Sequence, residues 1–195
     1  MTSAALAQAL LDRAPFVTAH RSDGLLLSDY FDGHRVLGEP ALLHALALAL
    51  YERIAGTTAE VVAGEVAAGG QLATAVSLVS ASAARPLEAR AVRRTAKDYG
   101  LSGRLSSQVP QGAHFAVVDD VAGTGAALER TVLELRRQQH PVVGAFVILD
   151  RQQGAAEALE RIDCPLTALF RLEDLALLRR PDRAPEPATS KRTGT

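Results

Sequence analysis

The sequence predicts an α/β fold, a mostly parallel sheet flanked by helices with a small N-terminal hood. Three observations carry that expectation. Four short apolar runs, Glu60 to Ala63, Leu87 to Val92, Phe115 to Val121 and Val142 to Leu149, read as strands buried on both faces. Three longer Ala/Leu-rich stretches without internal proline, Pro40 to Ile54, Gln71 to Ala84 and Ala126 to Gln139, read as helices bounded by Gly or Pro. Strand and helix then alternate along the chain, the order that builds a parallel sheet covered on both sides.

In chain order, Met1 to Pro15 carries Asp12 and Arg13 and lacks a basic start followed by a long apolar run, so it reads as a helix and not a signal peptide. Phe16 to Gly38 is mixed, polar and Gly-containing, which suits a hood of about residues 16–38 beside the sheet. The most apolar stretch, Ala41 to Leu50, contains His44 and is far shorter than the roughly 20 apolar residues a bilayer span needs. A fifth strand at Leu166 to Phe170 and a last helix at Glu173 to Arg180 close a single domain over 1–180. Beyond it, 181–195 is rich in Pro, Arg, Ala and Thr, too poor in apolar residues to pack, and reads as a disordered tail.

The composition fits one compact globular domain: 195 residues, 48% hydrophobic, 22% charged, net charge −1. Balanced charge argues against a nucleic-acid binder, which needs a clustered positive surplus to neutralise phosphates. The single Cys164 leaves no intrachain disulfide and no multi-cysteine zinc site, and it stands two residues before an apolar run, where it reads as structural. The five histidines show no metal-ligand spacing. Of the 21 basic residues only Lys97 and Lys191 are lysines. A compositional bias toward Arg and Ala accounts for the imbalance, though not for the one lysine left in the folded part, Lys97.

The strongest local signal is Phe115-Ala116-Val117-Val118-Asp119-Asp120-Val121-Ala122-Gly123-Thr124-Gly125, followed by a helix from Ala126. An apolar strand ending in two carboxylates, then a glycine turn, then a helix puts acids and free helical N–H groups at the carboxyl edge of the sheet, where ligands of open α/β sheets bind. Neither the P-loop nor the G-x-G-x-x-G spacing fits. Two carboxylates accept hydrogen bonds from a cis-diol, so Asp119 and Asp120 suit the hydroxyls of a ribose whose 5-phosphate rests in the turn Gly123, Thr124, Gly125. An acidic helix-capping region without ligand and a divalent-metal pair are the competing readings.

This motif resembles that of the type I phosphoribosyltransferases, with Gly123 where the family usually has Thr and Ala127 where a Ser or Thr is frequent. Arg93-Arg94-Thr95-Ala96-Lys97-Asp98-Tyr99-Gly100 is similar to the catalytic loop of orotate phosphoribosyltransferases, with Arg94 for Lys and Tyr99 for His. Read from the residues alone, Arg90 to Arg104 has the polar, Gly-containing composition of a mobile loop, whose cations would meet charge developing on a departing pyrophosphate. Asp150-Arg151-Gln152-Gln153-Gly154 resembles the stretch in which Arg151 would pair with the carboxylate of orotate. Gly69 and Gly70 match the pyrophosphate-binding loop, with Ala68 for Thr or Lys. Ser28-Asp29-Tyr30-Phe31-Asp32 is similar to the hood segment whose aromatics, here Tyr30 and Phe31, lie near the base, and Ser22-Asp23-Gly24 stands where the family has Lys-Ser-Gly.

The resemblance implies a cytoplasmic, dimeric, Mg²⁺-dependent enzyme of pyrimidine biosynthesis that takes 5-phosphoribosyl 1-diphosphate and orotate. Asp119 and Asp120 would hold the ribose and, through substrate or water, the metal. Arg93, Arg94, Lys97 and Tyr99 would face the pyrophosphate in a neighbouring subunit's site. Two alternatives stay open at this level: transfer to another nucleobase, and a non-catalytic regulatory protein that keeps the diphosphoribose cradle.

Overall fold

The computed structural model describes residues 2–13, 16–20, 26–97 and 103–178. The tail 181–195, Tyr99 and Ser22 to Gly24 lie outside the described residues, and of Lys97 only the backbone is described. The elements in chain order are α1 (Ser3–Asp12), β1 (Phe16–His20), β2 (Leu26–Phe31), α2 (Gly33–Leu37), α3 (Pro40–Ile54), β3 (Val61–Glu65), α4 (Ala68–Ser80) and β4 (Glu88–Lys97). Then follow β5 (Gly103–Leu105), β6 (Phe115–Ala122), α5 (Ala126–Arg137), β7 (Val142–Asp150), α6 (Ala155–Glu160), β8 (Leu166–Arg171) and α7 (Leu172–Leu178). Among the described residues no helix is long and apolar enough to cross a membrane.

Six strands form one sheet in the order β5-β4-β3-β6-β7-β8, parallel throughout except for the antiparallel edge strand β5. Alternation of side chains splits each central strand between two cores. Val62, Ala116 and Val118 pack with α1, α3 and α4 through Leu10, Leu46, Leu50 and Leu72, whereas Val61, Ala63, Phe115 and Val117 pack with α5 and α6 through Leu128, Val132, Leu135 and Leu159. Burial on both faces is why these strands read as continuous apolar runs.

Helix α3 occupies the expected span: Pro40 supplies a pre-set φ at its start, and Glu39 Oε2 accepts the Leu42 N–H at 2.6 Å. Two expectations need correction. Helix α4 begins at Ala68, not Gln71, because nothing in Ala68-Gly69-Gly70 prevents helical φ/ψ once the next residues pack, so Gly69 and Gly70 form its first turn. The stretch from Arg90 does not leave the sheet as a loop: β4 runs on to Lys97, past the end of β3, because β5 pairs antiparallel with its other edge and takes up the backbone groups on that side. The segment expected as a hood is the β1–β2 hairpin followed by the short helix α2.

Candidate active site

The strand order reverses between β3 and β6: from β3 the chain steps outward to β4 on one side, then returns across β3 to β6, β7 and β8 on the other. At such a switch point the connections leave in opposite directions and open a crevice at the carboxyl ends of the strands. That crevice is a cleft of about 290 Å³, walled by hood residues 30–34, the β3–α4 turn 65–68, Arg94, residues 119–121 and Ala127. It brings the acid pair, the start of α4 and the hood around one volume.

Asp120 is buried, 9% exposed, and its backbone N–H donates to Asp119 Oδ1 at 3.0 Å. Burial pushes the Asp119 carboxyl well above the usual aspartate range, and the charges of Asp120 and Glu65 add to the rise. Burial also raises the Asp120 carboxyl, against which hydrogen bonding to Asp119 and the nearby His34 work. Two carboxyls in this state gain from any bound hydroxyl or cation that stabilises the charged form.

The hood closes directly on this pair. A Cβ at Gly33 would lie 1.6 Å from Asp120 Oδ2, so only glycine allows α2 to rest there. On the opposite side Gly125 holds φ +83° at the start of α5, a conformation that favours glycine, and no side chain caps that helix. Its first N–H groups, with the exposed Thr124 and with Gly123, are thus placed to face an anion. Helix α4 likewise starts without a side-chain cap, and a Cβ at Gly69 would lie 3.2 Å from Asp119 Oδ1, which sets that helix start beside the acid pair; Gly70 follows in the same turn.

The two arginines expected to act together are separated. As neighbours on β4 they point to opposite faces: Arg93 Nη1 donates to the Leu105 carbonyl at 2.9 Å, on β5, whereas Arg94 lines the cleft of its own chain and its Nε donates to Glu65 Oε1 at 2.9 Å. Arg94 thus borders the cleft of its own chain. Of the two aromatics, Tyr30 is 45% exposed at the cleft, while Phe31 keeps 2% of its surface and packs edge-to-face on Phe16 at 5.6 Å, so Phe31 is a core residue first. Arg151 stands at the end of β7, outside the cleft walls; its backbone N–H donates to the Ala122 carbonyl and its Nε is buried without a hydrogen bond.

Gly33, His34, Glu65 and Arg130 escaped the sequence reading. Only Glu65 left a local signal, a carboxylate closing an otherwise apolar strand. Gly33 acquires its role from a fold contact 87 positions away in sequence, and no local pattern announces that. Cys164 is buried, and burial raises its thiol, as a structural cysteine requires. Among the described residues no group of three or more His, Cys, Asp or Glu is placed to hold a metal ion.

No protein-family model matches the chain. Individual relatives do. An orotate phosphoribosyltransferase of Methanothermobacter thermautotrophicus is 35% identical over 150 residues, 75% of this chain and 78% of that protein. One from a Nostoc species is 32% identical over 155 residues, 79% of this chain and 75% of that protein. The crystal structure of Mycobacterium tuberculosis orotate phosphoribosyltransferase in complex with 5-phospho-α-D-ribosyl 1-diphosphate superposes with a TM-score of 0.74 at 25% identity, covering 89% of this chain and 98% of that one. Identity at this level across three quarters of two such enzymes, on a shared type I phosphoribosyltransferase fold, is enough to conclude that the chain belongs to the orotate phosphoribosyltransferase family.

Proposed function

We propose that this protein transfers 5-phosphoribose from 5-phosphoribosyl 1-diphosphate to orotate, giving orotidine 5'-phosphate and pyrophosphate. The observation that carries the reading is the pair Asp119 and Asp120, set between two uncapped helix starts at the switch point of the sheet. In the reaction the bond from the anomeric carbon to the diphosphate oxygen breaks as a bond to the base nitrogen forms, and positive charge develops on the sugar while negative charge gathers on pyrophosphate.

Asp119 and Asp120 accept hydrogen bonds from the ribose hydroxyls, and their charge stabilises the cationic sugar carbon. The turn Gly123 to Gly125 and the first N–H groups of α5 hold the 5-phosphate. The start of α4, with Gly69 and Gly70, and Arg94 receive the diphosphate. Oxygen donors of this kind suit a hard cation: Asp119 and Asp120 would hold Mg²⁺ indirectly, through substrate oxygens or water, and the ion would supply charge neutralisation of the leaving diphosphate. Arg93, Lys97 and Tyr99 are assigned to the neighbouring subunit's site in a homodimer. Arg151 pairs with the carboxylate of orotate, and Tyr30 covers the base.

The test is turnover with orotate, 5-phosphoribosyl 1-diphosphate and Mg²⁺, read as pyrophosphate release. Product with orotate and not with purines supports the reading, and release only with a purine overturns it. Lys97→Ala is expected to lower kcat by about a hundredfold while the Kd for the diphosphate changes severalfold at most, because a cation aimed at the departing group acts mainly in the transition state. Equal kcat in the variant would remove Lys97 from the mechanism.

A further inference from the structure

The side chain that closes β3 is at odds with its strand. Val61, Val62, Ala63 and Gly64 are apolar and buried, and the fifth residue, equally buried at 7% exposure, is Glu65. A carboxylate at such a depth is unfavourable unless cations and hydrogen bonds surround it. Here they do. Its Oε1 accepts from Arg94 Nε at 2.9 Å and from Arg130 Nη2 at 3.3 Å, and its Oε2 accepts from Arg130 Nη2 at 3.1 Å. Arg104 Nη2, buried and without a hydrogen bond, stands 3.9 Å from Oε2.

One carboxylate thus faces three guanidinium groups drawn from β4, β5 and α5. Arg104 is shared with Glu134, whose Oε2 stands 3.8 Å from its Nη1, yet the cluster keeps positive charge to spare, and it borders the cleft on the side of Arg94 and the α4 start, where the diphosphate belongs. The arginine side chains differ in how firmly they are held. Arg104 is 14% exposed, whereas Arg94 is 76% and Arg130 43% exposed. Ion pairs with such exposed members are weak and exchange partners readily. A diphosphate, which carries several negative charges and more acceptor oxygens than a carboxylate, is the stronger partner for both.

We propose that Glu65 is a positioning residue, the resting counter-ion of Arg94 and Arg130, which keeps the Arg94 guanidinium at the diphosphate side of the cleft and that of Arg130 next to it on Glu65, and yields them to the diphosphate of the incoming substrate. The inference rests on the phosphoribosyl-transfer reading. Once the arginines have moved to the diphosphate, the carboxylate remains beneath them without its full complement of partners and beside a like-charged ligand. It therefore weakens binding of pyrophosphate and favours its departure. Glu65 tunes how tightly the product is kept and does not itself touch the reacting atoms.

The experiment compares wild type and Glu65→Gln for binding of inorganic pyrophosphate by calorimetry in the presence of Mg²⁺, with steady-state kinetics alongside. The amide keeps the size and an acceptor oxygen but removes the charge. The expected result is a pyrophosphate Kd lower by about tenfold, the equivalent of one charge-assisted hydrogen bond no longer contested. KM for the diphosphate falls with it, and kcat does not rise. The tightening disappears in Glu65→Gln combined with Arg94→Ala. A purely structural Glu65 would instead give lower thermal stability with pyrophosphate affinity unchanged or weaker, and that result overturns the proposal. If Glu65→Gln does not fold, Glu65→Asp serves: the shorter side chain retreats from Arg94, and a tightening of about threefold supports the proposal while unchanged or weaker affinity overturns it. Because pyrophosphate binding needs no base, the two claims separate. Wild type that binds pyrophosphate but does not turn over orotate removes the function and leaves the counter-ion test standing, and wild type that does not bind pyrophosphate overturns both.

Discussion

Asp119→Asn is expected to lower kcat/KM by about a thousandfold and, in the same protein without ligands, to raise the melting temperature at neutral pH by about 2–4 °C for each kcal/mol of relief. The two effects have one cause. Burial and the neighbouring charges of Asp120 and Glu65 raise the Asp119 carboxyl well above an ordinary aspartate. A carboxyl whose folded value is raised contributes stability that is fully present below the unfolded value and lost as pH rises through the folded value. At neutral pH the ligand-free protein therefore carries Asp119 and Asp120 in their unfavourable charged forms or holds a proton it would release on unfolding. The amide removes that burden.

Thermal stability of the ligand-free wild type increases as pH falls through the raised values toward the ordinary aspartate range, and this rise is smaller in Asp119→Asn. Acidic denaturation of other carboxylates, such as Glu134, whose carboxyl is lowered chiefly by its hydrogen bond from Arg137, sets in only at lower pH. Differential scanning calorimetry across the acid range measures both slopes. A variant with reduced stability at neutral pH and a pH profile parallel to the wild type would show that burial does not strain this carboxyl, and it would remove the link between site charge and stability.

The fold was legible where periodicity and punctuation act locally. The strands β3, β6 and β7 are apolar because both faces are buried, and α3 announces itself through Pro40 and the cap Glu39. The extension of β4 was not legible, since Arg93 to Lys97 has a polar composition and becomes strand only because β5 returns beside it. The same limit governs the site. Asp119, Asp120 and the turn at Gly125 lie within seven residues and read as a unit. The partners of Glu65, on β4, β5 and α5, are joined only by the sheet order, so a sequence shows the carboxylate and not the reason for it. The split of Arg93 from Arg94 follows from strand alternation, which a reading of the stretch as loop conceals.

Gly33→Ala carries the second large effect, and it reaches the chemistry through a methyl group. An ideal Cβ there would lie 1.6 Å from Asp120 Oδ2, 2.6 Å from its Cγ and 3.1 Å from its Cβ. No contact at 1.6 Å survives, so one side must move. Asp120 sits on the central strand β6 and is 9% exposed, which leaves its side chain little room to retreat. Helix α2 is held by Asp32, whose Oδ1 accepts the His34 N–H at 3.2 Å, and by Val36 and Leu37 in the core. Either the carboxylate turns away from the ribose position or the hood lifts from the cleft, and each outcome disturbs the geometry that transfer needs. The expectation is a fall in kcat/KM of about a hundredfold or more, with a loss of stability of about 1–3 kcal/mol from overpacking. Gly56→Ala is the control, because a Cβ there meets nothing within 4 Å, and it should leave both quantities unchanged. Combining Gly33→Ala with Asp120→Ala removes the two closest clashing atoms, so stability recovers while activity does not. Denaturant unfolding of the four proteins in the Gly33/Asp120 cycle yields the coupling energy, and additive effects would mean that the hood does not rest on the carboxylate.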